Sequence, residues 1–253
     1  MKKLLLLMAS AAFLFAACDK TPKDDPKPKP DPEPDPEPEY VQAIKIDGSF
    51  DDWATLGTKA VSAKSDPNSP WDAVKEIRVY ADEFYVFYYI EYDNAQIGSL
   101  LNEVTGVDKD GYPLGLPIRL NINTDGEFTS GYTSYSLDGY DFIIEGSLAE
   151  EKEWKSFDGT LHQRIDGSWS ALQEGGLCEG AGSGNKYEIA LNKVAFNGAA
   201  ATSTVPMPMG TEFQTGIRFY NATWGELANM PDGAVTDENA KGYGHLLKIV
   251  SAE

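Results

Sequence analysis

Cysteine and histidine are scarce. The 253-residue chain has two of each: Cys18, Cys178, His162 and His245. Two cysteines cannot build a disulfide framework. Two histidines leave little material for a multi-histidine metal site or a histidine-based catalytic network. Basic charge is also short. Lys plus Arg number 21 against 40 Asp plus Glu, a formal net charge of −19. Phosphate backbones need a basic surface, so nucleic acid is a poor partner, and the same acidity repels anionic glycans. Beyond the first 17 residues no apolar run reaches the roughly 18 residues a membrane-spanning helix needs. What the chain does have is hydrophobic residues at 42% and aromatics at 11%, enough to build a core and outside the composition of a disordered protein.

The start of the chain reads as an address. Met1-Lys2-Lys3 is positive, and Leu4 to Phe15 is apolar but too short to span a bilayer, as in a secretory signal. It ends in Phe15-Ala16-Ala17-Cys18. Small residues before a cysteine resemble a bacterial lipoprotein signal, with Phe15 where Leu is usual. The resemblance implies a signal peptide over residues 1–17 and lipidation of Cys18; an ordinary signal peptide with an incidental cysteine is the alternative. Multiple acyl chains anchor stably, at about 0.8 kcal/mol per buried methylene. The acidic residues of Asp19 to Asp25 resemble the surface-export signal of Bacteroidetes lipoproteins, which implies a lipid anchor in the outer membrane, exposed at the cell surface.

A stalk follows the cysteine, so that residues 18–39 form the anchor and spacer. Eight of the fifteen prolines fall within residues 19–39, alternating strictly from Pro26 to Pro38 with Lys, Asp and Glu. Proline fixes φ and blocks helix and central strand. The alternation favours a polyproline II spacer reaching roughly 65 Å if fully extended, at about 3.1 Å per residue.

Residues 40–253 carry 15 basic and 32 acidic side chains and no second linker of this kind, which points to one domain. Helical periodicity is rare, and short strand-like runs are separated by Gly, Asp, Asn and Pro. Strands are expected over Val41–Ile46, Val74–Tyr80, Glu83–Tyr92, Pro117–Asn123, Tyr140–Gly146, Glu153–Phe157, Leu161–Ile165, Tyr187–Leu191, Phe213–Asn221 and Tyr243–Val250. In Pro117–Asn123, Ile118, Leu120 and Ile122 point inward, with Arg119, Asn121 and Asn123 outward. Short helices are expected over Ile97–Thr105 and Asn192–Phe196. The fold class is all-β, an antiparallel β-sandwich of about ten to twelve strands with one or two short helices.

Ile46-Asp47-Gly48-Ser49-Phe50-Asp51-Asp52-Trp53 resembles the entry motif of family 9 carbohydrate-binding modules and their DOMON-like relatives. Ile77–Asp82 with Phe84–Phe87, Ile118–Asp125, Tyr140–Ile144, Tyr187–Leu191, Phe213–Trp224 and Tyr243–Ile249 resemble later strands of that family, in order. The resemblance covers most of residues 42–250. It implies a sandwich that binds sugars, often with structural calcium.

Sugar binding needs flat aromatic faces and fixed polar side chains. Trp71 and Trp224, in loop-like surroundings, are the expected stacking pair, against the alternative that each caps a core edge. Trp53, behind the Asp47-Gly48 turn, is expected to be architectural. Arg119, Asn121, Glu188, Arg218 and Glu91 each interrupt an apolar strand on its alternate face. If those faces coincide, they form a polar patch beside Tyr85, Tyr89 and Tyr220; otherwise they are solvated or ion-paired, as Arg218 with Glu188 would be. Asn121-x-Asn123-x-Asp125-Gly126-Glu127 imitates the start of a calcium loop, but an EF-hand needs Glu where Tyr132 stands. A different Ca²⁺ site on Asp125 and Glu127 stays open. No nucleophile or metal spacing accompanies either histidine, and with about thirty acids any pair of carboxylates can be nominated for glycoside hydrolysis; no enzyme is expected, with a glycoside hydrolase as the alternative. The expected role is non-catalytic capture of a neutral oligo- or polysaccharide. The alternative is a structural or partner-binding subunit of a surface transporter complex for nutrient uptake.

Overall fold

The computed structural model describes residues 40–66, 73–132, 139–232 and 245–252. The expected signal segment, the expected stalk and Trp71 lie outside them. The globular unit is Gln42–Glu253.

Thirteen strands among the described residues form two antiparallel sheets. The first contains β1 (Val61–Lys64), β2 (Val74–Ala81), β3 (Tyr85–Tyr92), β9 (Cys178–Ser183) and β10 (Lys186–Asn192), in the order β1-β2-β3-β10-β9. The second contains β4 (Gly115–Asn123), β5 (Phe142–Glu150), β7 (Thr160–Ile165), β8 (Ser168–Glu174), β11 (Glu212–Tyr220) and β12 (Glu226–Met230), in the order β12-β11-β4-β5-β7-β8. β6 (Glu153–Trp154) adds to β5, and β13 (Leu247–Val250) pairs with β11. β11 therefore shares one edge between two strands: Glu212–Thr215 with β13, and Ile217–Tyr220 with β12.

The period-2 pattern places the core. Val86, Tyr88, Ile90 and Tyr92 of β3 and Tyr187, Ile189 and Leu191 of β10 face Ile118, Leu120 and Ile122 of β4 and Ile217 and Phe219 of β11. A polar contact crosses this interior: the Tyr88 hydroxyl lies 3.0 Å from Thr215 Oγ1, which donates to the Asn121 carbonyl.

The all-β sandwich agrees with the sequence reading, and the differences have local causes. Three short α-helices are present among the described residues, not one or two. The added one, α1 (Asp51–Leu56), is six residues long, too short to register as a period. Asp51 and Asp52 occupy its first turn, where the helix dipole favours acids. Trp53 and Leu56 share one face and are buried. α2 (Ile97–Glu103) and α3 (Lys193–Ala200) fall where expected, with Asn192 capping α3 by accepting from the Ala195 amide at 2.9 Å. Val41–Ile46 is not a strand. Ile44, Trp53 and Leu56 instead pack on Tyr80, Phe87, Tyr89 and Ala190, closing the outer face of the first sheet.

Candidate functional site

Because that first outer face is covered, the polar patch expected from strand alternation does not form as one surface. Glu91, Tyr89 and Glu188 belong to β3 and β10, whereas Arg119, Asn121 and Arg218 belong to β4 and β11 on the opposite sheet. The strands alternate as read; the two sets face away from each other across the core.

Glu188 is fully buried. Its Oε1 accepts from the amides of Asp47 (3.0 Å) and Gly48 (2.9 Å), and its Oε2 accepts from Trp53 Nε1 (3.1 Å). Burial pushes its pKa up, while the Gly48, Trp53 and Asp47 donors pull it down. Its oxygens anchor the Ile46–Trp53 entry segment, and no ion pair joins it to Arg218. Tyr89 is buried under Phe50 and Trp53, with ring centroids at 5.8 and 5.6 Å, and donates to Glu91 at 2.8 Å. Glu188 and Tyr89 thus hold the architecture together and are closed to a ligand.

Asp125 and Glu127 lie in the loop that follows β4. Asp125 accepts from the Glu127 amide (2.8 Å) and from Ser130 Oγ (3.2 Å), and Asn123 Oδ1 accepts from the Gly126 amide (2.8 Å). These oxygens shape the loop. No group of three or more acidic, His or Cys side chains placed to hold a metal ion occurs among the described residues.

The outer face of the second sheet is different. Arg119 stands directly opposite Glu145 on β5 and Arg218 on β11. Its Nε donates to the Glu145 carboxylate and its Nη1 to the Tyr220 hydroxyl at 3.2 Å. The guanidinium carbon lies 5.3 Å from the Tyr220 ring centroid and 5.5 Å from that of Trp224, and the two rings are 5.3 Å apart. Burial opposes the Arg119 charge, but Tyr220 and Glu145 outweigh it and the pKa is raised. The residue stays a cation stacked on aromatic rings.

Trp224 is 49% exposed. It stands at φ 66°, a left-handed conformation that is costly for a large side chain. Asn221 supports it. Its Oδ1 accepts from the Thr223 amide (3.0 Å), the Thr223 hydroxyl (3.0 Å) and the Gly225 amide (2.7 Å), while its carbonyl accepts from the Trp224 amide (3.0 Å). The result is an indole raised on a braced turn.

Beside it lies a cleft of about 700 Å³ between the Trp224 turn, β5 around Glu145–Ser147, and the 107–114 hairpin with Val107, Asp108 and Lys109. Asp108 accepts from the Tyr112 and Asp110 amides at 2.9 and 2.8 Å, which hold its carboxyl below its ordinary pKa. A carboxylate so held accepts hydrogen bonds and is a poor proton donor.

Deeper in the same sheet, Arg218 Nε, Asn121 Oδ1, Asn229 Oδ1 and Gln214 Oε1 are buried without a hydrogen-bond partner. Arg218 reaches Glu226 only at 3.9 Å. The segment around Leu246 passes over this row: a Cβ at Gly216 would lie 2.2 Å from the His245 carbonyl oxygen. Asn121, the register partner of Gly216, therefore lies beneath that crossing, and Arg218 lies two residues along β11 from Gly216. Farther along, Trp169 stacks with Tyr132 and Tyr140 at 5.8 and 6.1 Å, with Arg164 against Tyr132 and Trp169 at 5.4 Å each.

Of the expected stacking pair, Trp224 borders the cleft and Trp71 lies outside the described residues. Trp154 packs on Tyr92 and Tyr187 at the core edge and donates to the Gly184 carbonyl. Glu145 and Asp108 went unnoticed in the sequence. Glu145 had a signal, since it follows Ile144 on the alternate face of β5; Asp108, in a hairpin, had none. No family model and no curated protein matches the chain, so the resemblance to family 9 modules rests on its motifs alone.

Proposed function

We propose that this chain is a surface-tethered, non-catalytic carbohydrate-binding lipoprotein that captures a neutral glycan in the cleft beside Trp224. The observation that carries the reading is the half-exposed indole at positive φ, braced by Asn221 and backed by Arg119 and Tyr220. A flat apolar face beside fixed hydrogen-bonding groups suits a pyranose ring, with its C–H side on the indole and its hydroxyls meeting Glu145 and Asp108. The charge balance supports a neutral ligand. Arg119 is paired with Glu145, and Lys109, at the cleft, lies against Asp110. A net charge of −19 also disfavours polyanions. Lipidation at Cys18 and the proline-rich spacer would hold the domain off the outer membrane.

Glycan-array screening followed by affinity-gel titration of the full chain tests this. Trp224→Ala should weaken binding at least tenfold, roughly 1.4 kcal/mol or more, and Arg119→Met should weaken it too. Trp169→Ala should bind as the native protein does. Absence of binding to every neutral polysaccharide rejects the reading.

One observation favours the alternative role in a nutrient-uptake complex. Val107 (60% exposed), Tyr112 (69%) and Trp224 present apolar surface on the hairpin and turn that border the cleft. Exposed apolar clusters mark protein contacts as well as ligand sites. Co-purification with a membrane transporter, lost in Tyr112→Ser and retained with excess glycan present, would distinguish it.

A further inference from the structure

A second cleft, of about 480 Å³, lies at the other end of β11 from Trp224. It is lined by Glu83, Lys193, Asn197, Met209, Thr211 and Ser251, among others. The unusual group in it is Lys193, the first residue of α3, which is only 5% exposed. Its Nζ donates to the Asp82 carbonyl at 3.1 Å and to Ser251 Oγ at 2.8 Å, and lies 6.0 Å from the Phe213 ring centroid. None of the ion pairs among the described residues involves it. Asp82 is close in sequence to the site, but its Oδ1 accepts from the amides of Phe84 and Tyr85 at 2.9 and 2.8 Å. Asn197 is likewise occupied, with both side-chain atoms bonded to the Met209 backbone.

A buried ammonium is costly unless an opposite charge and hydrogen bonds compensate it. Here two neutral oxygens take two of its three protons, and the cleft it borders is of the size that holds small molecules. Burial lowers the Lys193 pKa, and Asp82 and Glu83 only partly restore it. Met209, Gly210 and Ala252 contribute apolar surface, while the exposed Glu83 carboxylate at the cleft would repel a second negative charge. We propose that this cleft binds a small monocarboxylate with an apolar body, its carboxylate meeting the Lys193 ammonium and its chain lying along Met209 and Ala252. The site is independent of the glycan cleft.

Titration of the full chain with hexanoate, followed by calorimetry and by NMR of the ¹³C-labelled carboxylate, tests the assignment. Hexanoate should bind at least tenfold more tightly than neutral hexanamide. Lys193→Met, which keeps length and removes charge, should weaken hexanoate at least tenfold, and Ala252→Trp, which fills the cleft and leaves Lys193 in place, should do the same. Trp224→Ala should leave hexanoate binding unchanged. Near-UV circular dichroism checks that each variant is folded; if Lys193→Met is not, Ala252→Trp and the amide comparison decide. The assignment is overturned if no straight-chain carboxylate from acetate to octanoate binds, if acid and amide bind equally, or if folded Lys193→Met binds hexanoate as the native protein does.

Discussion

Asp141 shows how a single side chain couples this fold to pH. It is 2% exposed and its Oδ2 accepts from the amide and hydroxyl of Thr124 at 2.9 and 3.1 Å. Burial pushes its carboxyl up to about 6 from an ordinary 3.8, with Asp125 adding to the rise and the Thr124 bonds opposing it. The folded state holds this proton more tightly than the unfolded chain. The contribution to stability is therefore complete below about pH 3.8 and is lost as pH rises through about 6. Its size is on the order of 2–3 kcal/mol. Urea unfolding should show the stability of the native protein relative to Asp141→Asn falling by about that amount from pH 4 to pH 7.5. An unchanged difference would mean Asp141 titrates normally. Nothing in Tyr140-Asp141-Phe142 announces this, because burial of Asp141 depends on neighbours distant in sequence. Glu188 teaches the same point: alternation put it on an outer face, and the entry segment then covered that face.

At the level of strands and helices, the readable elements were those with a clear apolar face, one face in β4 and both in β3. β2, β3, β4, β7, β10 and β11 lie where alternation puts them, within a few residues. Three of the missed strands lack such a face. β8 is mostly exposed along its length, and β1 has four residues, none fully buried. β9, Cys178–Ser183, is rich in glycine because large rings pack over it: a Cβ at Gly182 would lie 2.6 Å from both Trp154 and Tyr187. β11 depends on a similar close approach at Gly216, where β12 and β13 part and the 245–246 backbone crosses. A Cβ there would lie 2.2 Å from the His245 oxygen and 2.8 Å from that of Met230. Gly216→Ala should cost about 3 kcal/mol by overpacking. Gly98→Ala in α2, where a Cβ meets nothing within 4 Å, should stabilise by roughly 0.5–1 kcal/mol. Denaturation midpoints moving in the same direction for both would contradict this account of the two glycines.

For the whole molecule, the proposed function divides the labour between an anchor, a spacer and a binding domain. If Cys18 carries the acyl chains, Cys18→Ser should move the protein from the detergent phase to the aqueous phase in Triton X-114 partitioning, with glycan affinity unaltered. Detergent-phase behaviour that survives the substitution would remove lipidation from the proposal. The proline-rich segment and the surplus of acids are composition, visible without coordinates, and so is the all-β class, since alternation is a property of neighbouring residues. Which residues share a surface is a different matter. Strand alternation specifies the side of a strand but not the sheet that strand joins, nor what lies across it. The pairing of β3 with β10 and of β4 with β5 and β11 sent the expected polar residues to opposite sides of the core. The segment from Ile44 to Leu56 then closed one side, and the other kept Trp224 in the open, because long-range packing, not local pattern, determines which surfaces water can still reach.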